Sequence, residues 1–291
     1  MTFRTTVTEL VRRRYSCRTY QKISIEEGRQ RLLSEFLASN LTGPLGTAAR
    51  FALVAATDQD RKSLKGLGTY GTIKGAAGFI VGAVEQGPKD LEDYGYLMEH
   101  AILFATDLGL GTCWLGGSFS KSSFTKKIAP ARGESVPAVT AVGCIASGGR
   151  SKDWIRKGAG SDHRFPWARL FSEERFGEPI IPEQAGAYAE SLEMVRLAPS
   201  ASNKQPWRIV RSGGNWHFYL HRTMGYGKGT MLFRVLRLAD LQRVDMGIAM
   251  CHFELVARQC GLKGGWVVDG PGIEKPGEST EYTVSWFNAM D

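Results

Sequence analysis

Two stretches decide the fold of this chain: DYGYLMEHAILFATDLGLGTCW, from Asp93 to Trp114, and DMGIAMCHFELVARQCGLKGGW, from Asp245 to Trp266. The second follows the first at a constant offset of 152 residues (245 − 93), with nine identities in 22 positions. The identities fall at Asp93, Gly95, Met98, His100, Leu103, Ala105, Gly109, Leu110 and Trp114. Composition alone would give about one or two identities over this length. The repeat therefore predicts two related halves in tandem within one chain.

The first copy has the spacing of a long helix. Its apolar residues at 97, 98, 101, 102, 105 and 108 recur at helical intervals, and Gly109 provides a stop signal. A short strand then begins at or contains Trp114. A site that other proteins build between two subunits could thus be built within this one chain.

The rest of the chain alternates between helical and strand patterns. The polar, basic and glycine-containing stretch from 146 to 176 marks the boundary. We divide the chain into residues 1–165 and 166–291, each an α+β unit. Helices are predicted to end near Arg14, to run from Ser24 to Ala38 behind a capping-box pattern, and to lie near 183–197. Strands are predicted at 51–56, 78–84, 136–146, 208–212, 216–222, 265–268 and 281–287.

Composition narrows the functional classes. The 291 residues carry a net charge of +8, but the basic residues are scattered and do not alternate with aromatic residues, which argues against nucleic-acid binding. No membrane span or secretory signal is evident, and five widely spaced cysteines fit a reducing compartment, so we expect a cytoplasmic protein. No cluster of metal-ligand residues is evident, and none is expected. His100 and His252 hold equivalent helical positions, which predicts a shared packing role.

RYSCR, from Arg14 to Arg18, follows the first helix and places two guanidinium groups around a serine. Arginine forks and a hydroxyl are what a phosphate monoester needs for charge-assisted bonding. The alternative is a solvated basic helix end, where cations favour the helix dipole.

APSASNKQPW, from Ala198 to Trp207, joins a helix to a strand. Proline fixes the backbone near both ends, and the hydroxyls and amides between them could face a planar polar ring. An ordinary helix-exit turn would also explain the proline and asparagine. The density of polar groups beside a tryptophan favours a site.

Together, RYSCR, APSASNKQPW and GLGTCWLGG (109–117) resemble motifs of the FMN-dependent nitroreductase family. The resemblance covers nearly the whole chain and implies the nitroreductase-like α+β fold, non-covalent FMN and NAD(P)H as transient electron donor. In most of that family two subunits exchange these motifs across a dimer interface. The implied activity is ping-pong transfer of hydride from NAD(P)H through flavin to a nitroaromatic, quinone or similar acceptor. The alternative is an FMN-binding carrier or redox-responsive protein without turnover.

The resemblance also implies site residues. Arg14, Ser16 and Arg18 would hold the phosphate and ribityl end of FMN, and Arg164 would complete the phosphate pocket, with Arg150 and Arg156 as alternatives. The segment against the ring edge would be Leu115, Gly116 and Gly117. Residues from the other half, lining the ring and ribityl chain, would be Pro199, Ser200, Ala201, Asn203 and Gln205. No side chain is assigned as a catalytic acid or base, because the flavin carries the chemistry.

The chain departs from the family pattern in one informative way. The first half has RYSCR but reads SNLTGPLGTAARF (39–51) where the polar loop should follow, whereas the second half has the loop but no RxSxR. Only one complete site can then be assembled, as in the tandem, single-chain branch of the family. We therefore predict an intrachain pseudo-dimer with one flavin site per chain, which a monomer could complete.

Overall fold

The computed structural model describes residues 2–39, 42–55, 64, 67, 69, 71–117, 119–148, 153–226 and 238–289. Two sheets carry the chain, one in each half, and two long helices lie between them. The helices are α1 (Val7–Arg13), α2 (Glu27–Ser39), α3 (Asp90–Asp107), α4 (Lys121–Ile128), α5 (Trp154–Gly158), α6 (Trp167–Leu170), α7 (Pro182–Ala185), α8 (Ala189–Leu197) and α9 (Leu241–Gln259). None of them is long and apolar enough to cross a membrane.

The first sheet contains β1 (Ala49–Ala55), β2 (Gly78–Glu85), β3 (Gly111–Leu115), β4 (Glu134–Ser135) and β5 (Val139–Gly143). Its order is β1-β2-β5-β3, all antiparallel, and β4 pairs with the end of β2. The middle strand β2 is buried along nearly its whole length, as expected for β-branched residues covered on both faces.

The second sheet contains β6 (Phe171–Glu173), β7 (Trp207–Ser212), β8 (Asn215–His221), β9 (Gly264–Val267) and β10 (Thr280–Asn288). Its order is β6-β7-β8-β10-β9, and only the β6–β7 pair is parallel. Gly213 and Gly214, both with positive φ, form the tight turn between β7 and β8 that their sequence predicts.

The repeated sequence forms α3 and α9, and their ends have the same geometry. In α3, Gly109 has a φ of 76° and the Leu110 N–H donates to the Ala105 carbonyl at 2.9 Å. In α9, Gly261 has a φ of 77°, and the bond from Leu262 to Ala257 is also 2.9 Å. Both ends show the bonding of a Schellman motif, which needs glycine at the left-handed position. The shared glycine and leucine of the repeat thus encode a shared helix end.

The two helices cross at glycines that also occupy equivalent repeat positions. A Cβ added to Gly95 would overlap the carbonyl oxygen of Val244, and one added to Gly247 would overlap that of Glu92. These contacts are reciprocal, because 244 and 247 are the repeat equivalents of 92 and 95. Reciprocal contacts of this kind relate the two subunits of a twofold symmetric dimer. The predicted α+β architecture with two tandem halves is confirmed, whereas the boundary at 165 and 166 stays a prediction.

One helix differs from its prediction. The segment 183–197 is not one continuous helix. α7 ends at Ala185, the next residue Gly186 has a φ of 57° and a ψ of −130°, and a 3-10 turn from Gly186 to Tyr188 leads into α8. An L residue rarely adopts this backbone conformation, so the glycine permits the break.

Candidate functional site

A cavity of about 360 Å³ lies where the two halves meet. The first half contributes Ser16, Arg18, Trp114, Gly116 and Gly117 to its wall, among others. The second half contributes residues of the 199–202 loop and the start of α9. The predicted site residues that the structure brings together here are Ser16, Arg18, Gly116, Gly117, Pro199, Ser200 and Ala201.

The RYSCR segment reaches the cavity because it leaves α1 in an extended conformation and runs beside β3. Arg14, the residue after α1, has a φ of −63° and a ψ of 132°. Ser16 then forms a parallel bridge with Thr112, and the Cys17 N–H donates to the Thr112 carbonyl at 2.8 Å. Arg18 bonds Asp153 Oδ2 at 3.0 Å through Nη1. The segment is therefore fixed by backbone bonds, and its alternating side chains are presented to the site.

The 198–207 loop has an unusual backbone. Ser202, Asn203 and Gln205 have φ values of 49°, 54° and 48°, in the left-handed region that residues other than glycine seldom adopt. Two bonds hold this shape: the Gln205 N–H donates to Ser200 Oγ at 2.8 Å, and the Phe165 N–H donates to Gln205 Oε1 at 2.8 Å. Backbone strain of this kind clusters at functional sites.

The loops in the two halves are anchored by equivalent aspartates, and the anchoring differs. Asp93 accepts from Leu45 N at Oδ1 (2.9 Å) and from Thr47 N at Oδ2 (2.7 Å). Asp245 accepts from Ala201 N at Oδ1 (2.9 Å), and its buried Oδ2 has no hydrogen-bond partner among the described residues.

The spare oxygen of Asp245 belongs to a residue on the cavity wall. Burial raises the pKa of this carboxyl well above its ordinary value, and nearby Asp240 adds to the effect, while the bond from Ala201 opposes it. When this carboxyl carries a proton, it offers a hydrogen-bond donor to a ligand in the cavity. The repeat alone could not identify this role, since both copies have aspartate.

Glycine at position 116 is explained by its packing against Leu241, in addition to the closeness to the flavin ring that the family motif implies. A Cβ at this position would lie 2.5 Å from Leu241 Cδ1 and 2.6 Å from Cδ2. The glycine therefore lets the start of α9 pack against the first half. Gly117 is more open, with the nearest atom, Leu238 Cδ1, at 3.7 Å from an added Cβ.

Behind the cavity the structure gathers three arginines. Burial lowers the pKa of Arg164 to about 10, and the positive charges of Arg14 and Arg156 contribute to the shift. The Arg164 guanidinium donates mainly to carbonyls, including Ser161 O at 2.8 Å, and also to Asn203 Oδ1 at 3.1 Å. The Nε atoms of Arg14 and Arg164 are buried without hydrogen-bond partners among the described residues. Among the described residues Arg164 bonds only uncharged acceptors, so its positive charge is not balanced by a carboxylate and favours an anion nearby.

Five predicted site residues lie off the cavity wall. Arg14 points to buried Glu99, and Leu115 packs in the core beside the first sheet. Arg164, Asn203 and Gln205 bond one another or the 160–165 segment behind the loop. Of the alternatives to Arg164, Arg156 is buried and paired with Asp162, and the segment containing position 150 lies outside the described residues.

Sequence reasoning missed a buried polar group that links the halves. Glu99 is fully buried and accepts from Trp114 Nε1 at 2.7 Å. Its other carboxylate oxygen lies 3.0 Å from His252 Nε2 and 3.6 Å from Arg14 Nε. His252 also contacts the Met194 carbonyl through Nδ1 at 2.9 Å. Glu99 therefore connects Arg14 to a wall residue of the cavity.

The prediction of a shared packing role for the repeated histidines is wrong for His252. His100 packs against the rings of Phe3 and Phe36, and burial lowers its pKa to about 4. His252 instead faces two acceptors, Glu99 and a carbonyl, because the helix it lies on meets the other half there. Among the described residues, no group of three or more histidine, cysteine, aspartate or glutamate side chains has the arrangement of a metal site.

The sequence profile of the family described as "Putative TM nitroreductase" matches residues 6–257. No curated protein matches the chain.

Several solved structures are similar. A putative nitroreductase from Thermotoga maritima MSB8 has a TM-score of 0.61 and 19% identity, over 98% of this chain and 95% of its own. A putative nitroreductase in complex with FMN from Desulfovibrio desulfuricans has a TM-score of 0.39 and 24% identity, over 50% of this chain and 89% of its own. A nitroreductase with bound FMN from Bacteroides fragilis NCTC 9343 has a TM-score of 0.38 and 19% identity, over 50% of this chain and 90% of its own. Since the profile spans most of the chain and the Thermotoga structure shares the fold, this chain belongs to the putative TM nitroreductase family.

Proposed function

We propose that this chain is an oxidoreductase that binds one FMN in the cavity between its halves. In the proposed reaction NAD(P)H is the electron donor and a nitroaromatic, quinone or similar molecule is the acceptor, in a ping-pong sequence. The observation that carries the proposal is the composite wall: Ser16 and Arg18 come from one half and the 199–202 loop from the other. Each half alone supplies only part of that wall, which supports one site per chain and an intrachain pseudo-dimer.

The chemistry of the wall fits FMN. Arg18 on the wall could pair with a phosphate, and the positive charges of Arg14, Arg156 and Arg164 behind the wall would add to the attraction. A flat ring system suits the apolar start of α9, where Leu241, Val244 and Ile248 line the cavity. Burial raises the pKa of Asp245, and in its protonated form the carboxyl would donate a hydrogen bond to an acceptor on the ligand.

When bound, FMN would supply the redox chemistry, accepting a hydride from NAD(P)H and passing electrons to the acceptor. The protein's own part is binding, orientation and charge. Arg18 places a cation at the wall, and the loop with three left-handed residues presents its backbone and Ser200. We assign no side chain as a catalytic acid or base.

Cofactor binding is tested first by the absorbance spectrum of the purified protein and by titration of the FMN-free protein with FMN. We expect a yellow protein with one FMN per chain. The double variant Ser16→Ala, Arg18→Ala, at two residues of the cavity wall, is expected to lose FMN while keeping its melting temperature. Asp153→Asn is the matched control, because it breaks the 3.0 Å ion pair with Arg18 but leaves the guanidinium in place. A double variant that stays fully yellow would refute the site.

Turnover is tested separately. We expect steady oxidation of NADH or NADPH by the FMN-loaded protein with menadione or nitrofurazone, and parallel lines in double-reciprocal plots. A yellow protein that no nicotinamide donor reduces would instead be an FMN carrier or redox-responsive protein. A protein that is colourless and not stabilised by added FMN would refute both.

A further inference from the structure

A second cavity, of about 670 Å³, lies beside the first on the outer side of the 199–205 loop. Ala159 and Ser202 line both cavities. The loop is therefore a partition: Pro199, Ser200 and Ala201 face the first cavity, and residues 203–205 face the second. A volume of this size is enough for a nucleotide-sized ligand.

The second cavity carries positive charge without matching negative charge. Arg169 and Arg208 line it, and none of the described residues that line it is a carboxylate. The Arg169 guanidinium stacks 3.7 Å above the Phe165 ring, and Arg208 Nη1 donates only to the carbonyls of Gln205 and Trp207. Neither arginine has an acidic partner within the part of the chain that the structure describes.

A third arginine that lines the second cavity differs from these two, because it has acidic partners. Arg222 forms ion pairs with Asp240 at 2.7 Å and Glu281 at 2.8 Å, so its charge is balanced. The unbalanced pair also affects its neighbours. Burial and then the charge of Arg169 lower the pKa of Arg208 to about 10. Burial followed by both arginines lowers the pKa of His221. An anion would relieve this repulsion.

We propose that the second cavity binds a phosphate monoester of the electron donor, the extra phosphate that distinguishes NADPH from NADH. Arginine is the side chain that suits a phosphate monoester, because its fork bonds two oxygens at once and the dianion balances two guanidinium groups. The shared residues Ala159 and Ser202 let one extended dinucleotide place its nicotinamide against the FMN of the first cavity and its adenosine phosphate in the second. This inference rests on the proposed function for the identity of the donor.

The test uses fragments that do not react. Binding of 2′,5′-ADP and of 5′-AMP to the FMN-loaded and FMN-free protein is measured by calorimetry at low salt. We expect 2′,5′-ADP to bind about tenfold or more tightly than 5′-AMP, since charge-assisted bonds to one phosphate contribute at least that much. Arg169→Gln, at an exposed position, should weaken 2′,5′-ADP about tenfold and leave 5′-AMP unchanged. Arg31→Gln, on the surface of α2 with 73% of its side chain exposed, is the matched control and should bind as wild type.

Three results would overturn the inference: equal affinity for the two fragments, no effect of Arg169→Gln on 2′,5′-ADP, or displacement of 2′,5′-ADP by FMN. The last would mean that both phosphates use one site. Because FMN uptake is measured in the same samples, the two proposals fail separately. A protein that takes up FMN but does not prefer 2′,5′-ADP refutes only the donor site, whereas one that takes up no FMN refutes the proposed function.

Discussion

The repeat provides an internal control for the role of Asp245, because Asp93 holds the equivalent position. We predict that Asp245→Asn and Asp93→Asn change stability in opposite ways. In Asp245→Asn the amide oxygen can still accept from Ala201 N, and the amide nitrogen replaces Oδ2, where the protonated carboxyl already has a donor without a partner among the described residues. In Asp93→Asn the amide nitrogen must face the N–H of Leu45 or Thr47. That change leaves a buried donor unpaired, which costs about 1–3 kcal/mol.

The sign of the pH dependence follows from the direction of the pKa shift. Unfolded Asp245 ionises near its ordinary pKa of 3.8, whereas burial keeps the folded carboxyl protonated to a pKa well above that. Between these two values the folded state holds a proton that the unfolded state lacks, so wild-type stability falls as the pH rises. One such proton contributes a slope of about 1.4 kcal/mol per pH unit. Asp245→Asn removes that slope.

The assay is urea unfolding of the FMN-free protein at several pH values from 5 to 8. We expect the free energy of unfolding of Asp245→Asn to exceed that of wild type increasingly as the pH rises, and Asp93→Asn to be less stable than wild type throughout. The reasoning is refuted if Asp245→Asn loses as much stability as Asp93→Asn, or if its difference from wild type does not depend on pH. Either result would mean that Asp245 is ionised and paired in the folded protein.

Two further predictions concern the contact between the halves. Gly247→Ala should destabilise the protein by about 1–3 kcal/mol or more, because the added methyl overlaps the backbone of the facing helix; Gly265→Ala, where the space is open, is the control in the same urea titration. Glu99→Gln should lower the free energy of unfolding by about 3–5 kcal/mol, because it leaves the buried Arg14 guanidinium without its counter-charge. Exposed Glu35→Gln controls for the lost charge, and equal melting of the two glutamine variants would contradict the role of Glu99.

The sequence predicted the parts of this fold that depend on local pattern. The repeat located both long helices and their glycine ends, and the β-branched runs located most strands of both sheets. The short strands β4 and β6 contain no such run and were not predicted. It did not predict that Gly95 and Gly247 contact the opposite helix, since a helical glycine has no local signature of close packing. The break at Gly186 was also missed, because a glycine within a helical pattern reads equally well as a tolerated interior residue.

The candidate site was predictable as a set of segments but not as a geometry. RYSCR and the polar loop were recognised from residue type, and the structure brings parts of both to one cavity. The hydrogen bonding of Asp245 and His252 was not predicted, because each has an identical residue at the equivalent position of the other copy. Asp93 has two backbone donors to accept from where Asp245 has one, and His100 meets aromatic rings where His252 meets Glu99. Such differences come from the neighbouring half and are absent from the repeated stretch itself.

The unequal loops and helix starts explain why one composite site is expected from two similar halves. Val244 lines the cavity, but its repeat equivalent is Glu92, a charged residue that bonds Arg243 at 2.6 Å. The 43–47 loop, GPLGT, offers one hydroxyl, whereas the polar loop of the second half offers two hydroxyls and two amides. Among the described residues, an apolar helix start and a polar loop thus occur together on only one side of the crossing of α3 and α9. A second flavin would have to displace the Arg243–Glu92 ion pair and bind beside a loop with few polar side chains. We therefore expect titration with FMN to saturate at one FMN per chain. Saturation at two FMN per chain would contradict this asymmetry.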